Sequence, residues 1–269
     1  MNVATARRMI GAEVLKLRHN RGVMVFAIVL MVGIVVLYYG VGALEHASNP
    51  VRNRAAGGFP GFQDGVRALG DFFGMLTAIL IGAEAGTADR ASGVFRDLVV
   101  TGRSRLALFA VRAPAAVLVW LVLAAVSFGL IVVATFVFSP SAPGEVIAPV
   151  GVGANPGLGL IVRSAGWVAL TGAALVTCTV GVGALTGSRA LTLTAAIGWE
   201  AIASNLLLNA GFLGSARRGL LGVALDNLIP IPGSRPNVTM ADGLALVVVA
   251  AWVAVAVAVG AWRTQTVDA

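Results

Sequence analysis

Glu200 stands alone in the middle of an apolar run: no other Asp, Glu, Lys or Arg falls between residues 190 and 212. If that run crosses a membrane, a carboxyl at its centre costs about 2.5–3.5 kcal/mol on insertion scales. Ser204 lies four residues on and shares its helical face. Asn205 and Asn209 continue a polar stripe beside it. Two uses fit these residues. Glu200, Ser204 and Asn205 can line a translocation path or a dimer cavity, or serve a proton. Alternatively Glu200 is structural and hydrogen-bonds Thr171, Thr177 or Thr179 of a neighbouring helix. The residues alone leave both open.

The second chemically dense stretch is residues 84–105, EAGTADRASGVFRDLVVTGRSR. Glu84 and Asp89 come first. Val94, Phe95, Leu98 and Val99 then set apolar side chains among Arg96 and Asp97. Gly102 suits a helix stop, and Ser104 can cap the helix that follows. A short helix with apolar side chains between charges either docks into a partner's groove or buries those side chains against the base of the bundle.

Other chemistry is missing. The chain has no GxxxxGK[ST] loop to cradle a nucleotide's phosphates and no HExxH, CxxC or GxSxG. Cys178 is the only cysteine and sits in an apolar run; His19 and His46 flank one span and are far apart. No metal-ligand spacing results. The expectation is a chain with no enzymatic activity, no metal and no cofactor of its own. Asp71 and Arg163 could pair by sign and side, with nothing further to support it.

The elements that must position these residues follow from composition. Of 269 residues 58% are hydrophobic and 12% charged, and mean hydropathy is +0.91. A soluble domain carries about 25% charged residues, so lipid is the solvent that makes this chain sensible. The net charge of +7 is carried by arginine apart from Lys16. The cations sit between apolar runs, with no basic patch of interleaved aromatics, so lipid head groups and not nucleic acid are the expected partners.

Five runs are long enough to span: 22–44, 116–138, 164–186, 190–212 and 243–262. The first is too long for a cleavable signal's apolar core. A sixth, 67–87, is weaker, because the uncharged stretch between Asp71 and Glu84 covers only about 18 Å of helix. Its crossing is expected from charge. With six spans and an internal N-terminus, twelve cations lie inside and seven outside, as the positive-inside rule asks. Without it, the group Arg90 to Arg105 lands on the wrong side. Both termini are therefore expected in the cytoplasm.

Four flanking features complete the reading. Val3, Ala6, Ile10, Val14 and Leu17 form one stripe, so residues 1–20 are expected as an interfacial helix or as a plain extension of the first span. The run from Leu106 to Phe138 exceeds a membrane, and Pro114 suggests a bend before the span proper. Residues 45–66 and 139–157 look irregular, rich in Gly, Pro and Ala. In 213–242, Leu220, Leu221, Ala224, Leu225 and Leu228 make an apolar face ended by Pro230, Pro232 and Pro236, which suggests a short outer helix that dips into the leaflet or packs on the bundle. Ala250, Ala254 and Ala258, and Gly183 with Gly187, allow close helix packing. Tyr38, Tyr39, Trp167 and Trp262 read as interfacial anchors; Trp120 and Trp252 are ambiguous.

The order of these features resembles that of type-2 ABC transporter permeases. Glu13-Val14-Leu15-Lys16-Leu17-Arg18 before the first span resembles that family's opening interfacial helix. Glu84, Gly86, Gly93 and the Arg103-Ser104-Arg105 turn resemble its segment after the second span. Val99-Val100-Thr101 departs from the leucine pair and proline common there, and Arg112 stands where lysine is common. The resemblance implies an all-α polytopic protein of the inner (cytoplasmic) membrane, a single domain over 1–269 with six spans and a re-entrant helix before the last. It implies that 84–105 is a coupling segment through which Glu84, Asp89, Val94, Phe95, Arg96, Leu98, Arg103 and Arg105 meet a separate ABC ATPase subunit. ATP would be bound by that partner, and a second permease copy or a paralogue would complete an exporter. The competing expectation is a stand-alone secondary transporter or channel using Glu200; a membrane-embedded enzyme would need converging polar groups in several spans.

Overall fold

A computed structural model describes residues 3–91, 93, 100, 102, 104–139, 155–234 and 236–266, the side chains at 90, 91, 201, 203 and 205 excepted. Among these every regular element is helical. Five helices are long and apolar enough to cross a membrane. Their outward faces carry large apolar side chains such as Val25, Phe26, Leu37, Val122 and Val247. Water does not tolerate so continuous an apolar surface, and the chain is embedded in a membrane.

Helix α1 is Val3–His19. Its inner face is Met9, Glu13 and Leu17, with Ile10 and Val14 half-buried and Val3 exposed. The buried face is thus rotated from the expected stripe and takes in Glu13, which pairs with Lys16 of the same helix. Asn20 breaks the helix, and its Oδ1 accepts from the Val23 amide at 3.4 Å to start the next one. Helix α2 runs over Arg21–Ser48, with a π turn at Val29–Gly33.

Residues 49–57 are irregular, as expected of 45–66, but 45–48 belong to α2 and helix α3, Gly58–Asp89, takes the rest. Phe59, Phe62, Val66 and Leu69 recur at spacings of 3, 4 and 3 and are all buried. That face holds a helix through its glycines, and Pro60 falls in the first turn, where proline is tolerated. The chain enters through Gly57, whose amide donates to Phe138 O at 2.9 Å. A Cβ there would lie 2.4 Å from the Phe138 carbonyl carbon, so only glycine fits this approach. The 32-residue helix is ample for a crossing that 67–87 made marginal. A π turn interrupts it at Ala68–Phe73.

Helix α4 is Arg105–Val137. Ser104 caps it, its Oγ accepting from the Ala107 amide at 3.2 Å. The helix breaks at Val111, three residues before Pro114. Helix α5, Leu158–Thr186, ends at Gly187, whose φ of 66° and amide bond to Gly183 O make a left-handed stop. Gly187 therefore ends a helix, whereas Gly183 packs against one. Helix α6 comprises Arg189–Ile197, a π turn at Gly198–Ala203 and Ser204–Asn209. It is helical throughout but is not among the five span-length helices. A 3-10 segment, Gly211–Gly219, leads to the short helix α7, Leu221–Asn227, and then to α8, Asp242–Thr266.

Helix α5 is the axle, with α3, α4 and α8 packed around it. Glycines set the distances: a Cβ on Gly86 would lie 2.8 Å from Val180 O, and one on Gly181 would lie 2.3 Å from Ala256 O. In lipid, such close approach replaces the hydrophobic drive between helices. Trp120 of α4 lies over Gly172 of α5, 1% exposed, and its Nε1 donates to Gly74 O of α3 at 3.1 Å. A Cβ on Gly172 would meet that ring at 2.1 Å. Gly172→Ala is expected to destabilise the chain by about 1–3 kcal/mol, read as a lower melting midpoint in detergent, with Trp120→Phe relieving part of the loss. Unchanged melting would show that the two helices do not meet there.

Two of the expected aromatic anchors are internal. Tyr39 is 3% exposed and its hydroxyl donates to Gly61 O at 2.7 Å. Trp167 is buried and its Nε1 donates to Leu225 O at 2.9 Å. Trp262 and Tyr38 are exposed.

Candidate functional site

Two polar constructions interrupt the apolar bundle, one at the pole where α1 lies and one between α3, α5, α6 and α7.

At the first, Lys16 of α1 donates to Glu13 at 2.9 Å and to Asp89 at the foot of α3 at 2.5 Å. The other Asp89 oxygen takes Arg112 Nη2 from α4 at 2.7 Å. Arg112 and Asp89 are 1% and 3% exposed. One turn deeper on α3, Glu84 accepts from Asn20 Nδ2 at 2.7 Å and pairs with Arg189 at the start of α6 at 3.1 Å. Four elements are thus tied through two carboxylates spaced five residues apart. Burial makes Asp89 and Arg112 dependent on each other, while Lys16 and Arg189 are 39% and 42% exposed; together the contacts tie α1, α3, α4 and α6.

Glu84 and Asp89 were expected on a docking segment; the structure places both inside, satisfied within the chain. Arg105 reaches across the same pole, Nη1 to Gln265 O at 3.3 Å, linking α4 to the end of α8. Val94, Phe95, Arg96, Leu98 and Arg103 lie outside the described residues.

The second construction gathers three carboxyls around a cavity of about 260 Å³: Asp71 of α3, Glu200 of α6 and Asp226 of α7. Asp71 and Glu200 are both carried on π turns. A π turn adds a residue to the helical repeat, turns a side chain out of register and recurs at functional positions. Asp226 lies within electrostatic reach of the other two, and Arg67 within reach of Asp71 and Asp226. The Arg67 guanidinium is engaged with Ser234 Oγ at 2.6 Å. Thr171 and Ser204 line the same cavity, 5% and 9% exposed, and neither hydroxyl has a hydrogen-bond partner. Most buried hydroxyls do find one. Thr177 and Thr179 instead donate back into their own helix, at 2.7 Å each.

Glu200 also lines a second cavity of about 360 Å³, an apolar crevice floored by Ile79, Leu175 and Leu221 and walled by Trp199 and Trp252. The two indole rings lie 5.6 Å apart. Trp252 is fixed by a bond from Nε1 to Gly219 O at 2.8 Å.

Sequence reasoning singled out Glu200 and Ser204; Thr171 was weighed only as a hydrogen-bond partner of Glu200, and its hydroxyl makes no such bond; the side chain of Asn205 lies outside the described ones. It missed Asp226, an acid beside Asn227 that follows the apolar stretch 220–225. Asp71 was weighed only against Arg163; no ion pair joins the two. Among the described residues no three His, Cys, Asp or Glu side chains converge closely enough for a metal ion. Comparisons of the chain with family models, with curated proteins and with solved structures return no match.

Proposed function

We propose that this chain is the permease subunit of an ATP-driven exporter of the inner membrane, with ATP bound and hydrolysed by a separate ABC ATPase subunit. In this reading α6 is the fifth of six crossings, α7 the short outer helix before the last, and both termini are cytoplasmic. The observation that carries it is the docking of α1 onto the foot of α3 through Lys16 and Asp89. The described part of α3 ends at that foot and α4 begins at Arg105, so a motor gripping the stretch of chain between them would pull on α1, α3, α4 and α6 together. The same pole holds Arg7, Arg8, Arg18, Arg21, Arg105, Arg189 and Arg263, a charge bias that fits a cytoplasmic face. The exposed Ala250, Ala254 and Ala258 face of α8 suits a second copy or a paralogue.

Glu84 and Asp89 are buried and paired within the chain. Substituting them would disturb the fold and confuse the outcome. Phe95→Ala with Arg96→Ala instead addresses the segment itself. The chain is purified from detergent with a candidate ATPase, wild type against the variant, with melting as the check on folding. Retention by wild type and loss by a variant that melts normally is the expected result. Equal retention by both removes the coupling role from 84–105. Transport by wild-type vesicles without any ATPase or ATP removes the permease reading.

That last outcome would favour the second reading, a stand-alone secondary transporter or channel. The observation on its side is the pair of carboxyls, Asp71 and Glu200, set on π turns facing one cavity.

A further inference from the structure

We propose that the acidic cavity and the adjoining crevice form one binding site for an amphipathic organic amine. Its ammonium group sits among Glu200, Asp71 and Asp226 and donates to the hydroxyls of Thr171 and Ser204. Its apolar body lies in the crevice, against the contacting indoles of Trp199 and Trp252. As a statement about cargo this rests on the permease reading; as a binding site it is measured on this chain alone.

The argument begins with the hydroxyls. Thr171 and Ser204 are more than nine-tenths buried, line the cavity and lack partners. A helical Thr or Ser in an apolar setting ordinarily turns its hydroxyl back to the carbonyl one turn earlier, as Thr77, Thr87, Thr135 and Thr264 do here. Two hydroxyls held off that bond, on different helices and facing one space, are available to a polar group that enters it.

Charge gives the donor's sign. Among the described residues three carboxyls line the cavity, and the guanidinium that acts on Asp71 and Asp226, that of Arg67, is bonded to Ser234. A cation restores balance, and its approach favours the ionised carboxylates. Among the described residues no three His, Cys, Asp or Glu side chains converge as the ligands of a metal ion do. An ammonium needs no such convergence: its three hydrogens point apart and can reach a carboxylate and two hydroxyls on separate elements.

The crevice gives the rest of the molecule. Glu200 is common to both cavities, so a ligand held there by its charge extends directly into the apolar space. Indole faces attract cations and stack on flat apolar groups. Volumes of about 260 and 360 Å³ suit an ammonium with its neighbouring carbons and a fused aromatic ring system.

The experiment uses dansylcadaverine, a primary amine carrying a naphthalene, and its N-acetyl derivative, which keeps the body and removes the charge. Each is titrated into the full chain in detergent, following energy transfer from tryptophan to the dansyl group. Saturable binding of the amine is expected, with the acetylated probe weaker by about tenfold or more. Glu200→Gln is expected to weaken the amine by about 30-fold, as truncation of a buried charge partner does, and Thr171→Val by a few-fold. Should Glu200→Gln melt early, Asp226→Asn at the cavity's rim replaces it with the same expected direction. Equal binding of both probes, unchanged affinity in the Glu200 variant, or transfer that never saturates overturns the proposal, leaving apolar partition into crevice or micelle. Amine binding lost with an ATPase retained leaves the permease reading standing; amine binding kept with no ATPase retained does the reverse.

Discussion

Asp89→Asn is expected to cost the chain about 3–5 kcal/mol of stability, because it removes the carboxylate from a buried ion pair and leaves the opposing charge behind. Arg112 is 1% exposed, and its Nη2 lies 2.7 Å from Asp89 Oδ2. A guanidinium cannot shed its proton to escape that burial. The same carboxylate also holds Lys16 at 2.5 Å, so its loss loosens α1 from the foot of α3. Two measurements separate the effects. The melting midpoint in detergent should fall steeply, and trypsin should cut faster after Lys16, Arg18 and Arg21. Lys16→Met should release α1 to trypsin as well but cost only about 0–1 kcal/mol, since the Lys16 side chain is 39% exposed and water already shares its charge. Adding Arg112→Met to Asp89→Asn should recover part of the loss, because a buried pair removed whole is cheaper than one broken in half. Wild-type melting in Asp89→Asn would mean that the pair does not organise this pole.

The same residues show what a sequence can carry. Helix positions were legible wherever apolar runs were long, because lipid demands about twenty apolar residues and nothing else produces them. The Asn20 break and the Ser104 and Gly187 ends reflect local backbone chemistry. The start of α3 was hidden because its glycines and Pro60 read as loop, while Phe59, Phe62, Val66 and Leu69 kept a helical face beneath them. Composition and periodicity disagreed there, and periodicity held, since packing against the bundle outweighs propensity.

The sites were less legible. Glu84 and Asp89 look like a charged surface in sequence, since nothing local shows that Arg112, Asn20 and Arg189 come from three other elements to meet them. Glu200 was visible because an acid in an apolar run is conspicuous. Its neighbours were not: Asp71 sits near a span end and Asp226 beside a loop, places where acids need no explanation. Only the π turn at Ala68–Phe73, which no residue pattern announces, brings Asp71 around to the cavity of Glu200. Long-range convergence and helical register defects are properties of the packed bundle.

Trp167→Ala is expected to cost about 3–5 kcal/mol, the range for deleting a large buried aromatic, and to weaken amine binding along with stability. The ring is 4% exposed and lies against Gly70, where a Cβ would meet it at 2.2 Å. Gly70 immediately precedes Asp71 on the π turn of α3. On its other side the indole Nε1 donates to Leu225 O, the residue before Asp226 on α7. One side chain of α5 therefore spaces two of the three carboxyls that face the cavity. Alanine removes the spacer and the bond together, and α7 is then free to settle away from α3. Trp167→Phe keeps most of the packing but cannot donate to Leu225 O. It should lose less stability than alanine yet still weaken the amine, because Asp226 is no longer held at a fixed distance. Gly70→Ala approaches from the opposite wall, forcing the ring off the π turn, and Trp167→Phe should partly relieve it. Melting and probe titration on the four variants give the answer. If alanine at 167 lowers stability while the folded fraction binds amine as tightly as wild type, the ring supports the bundle without spacing the carboxyls. If phenylalanine melts normally and binds weakly, the Leu225 hydrogen bond sets the geometry of the cavity.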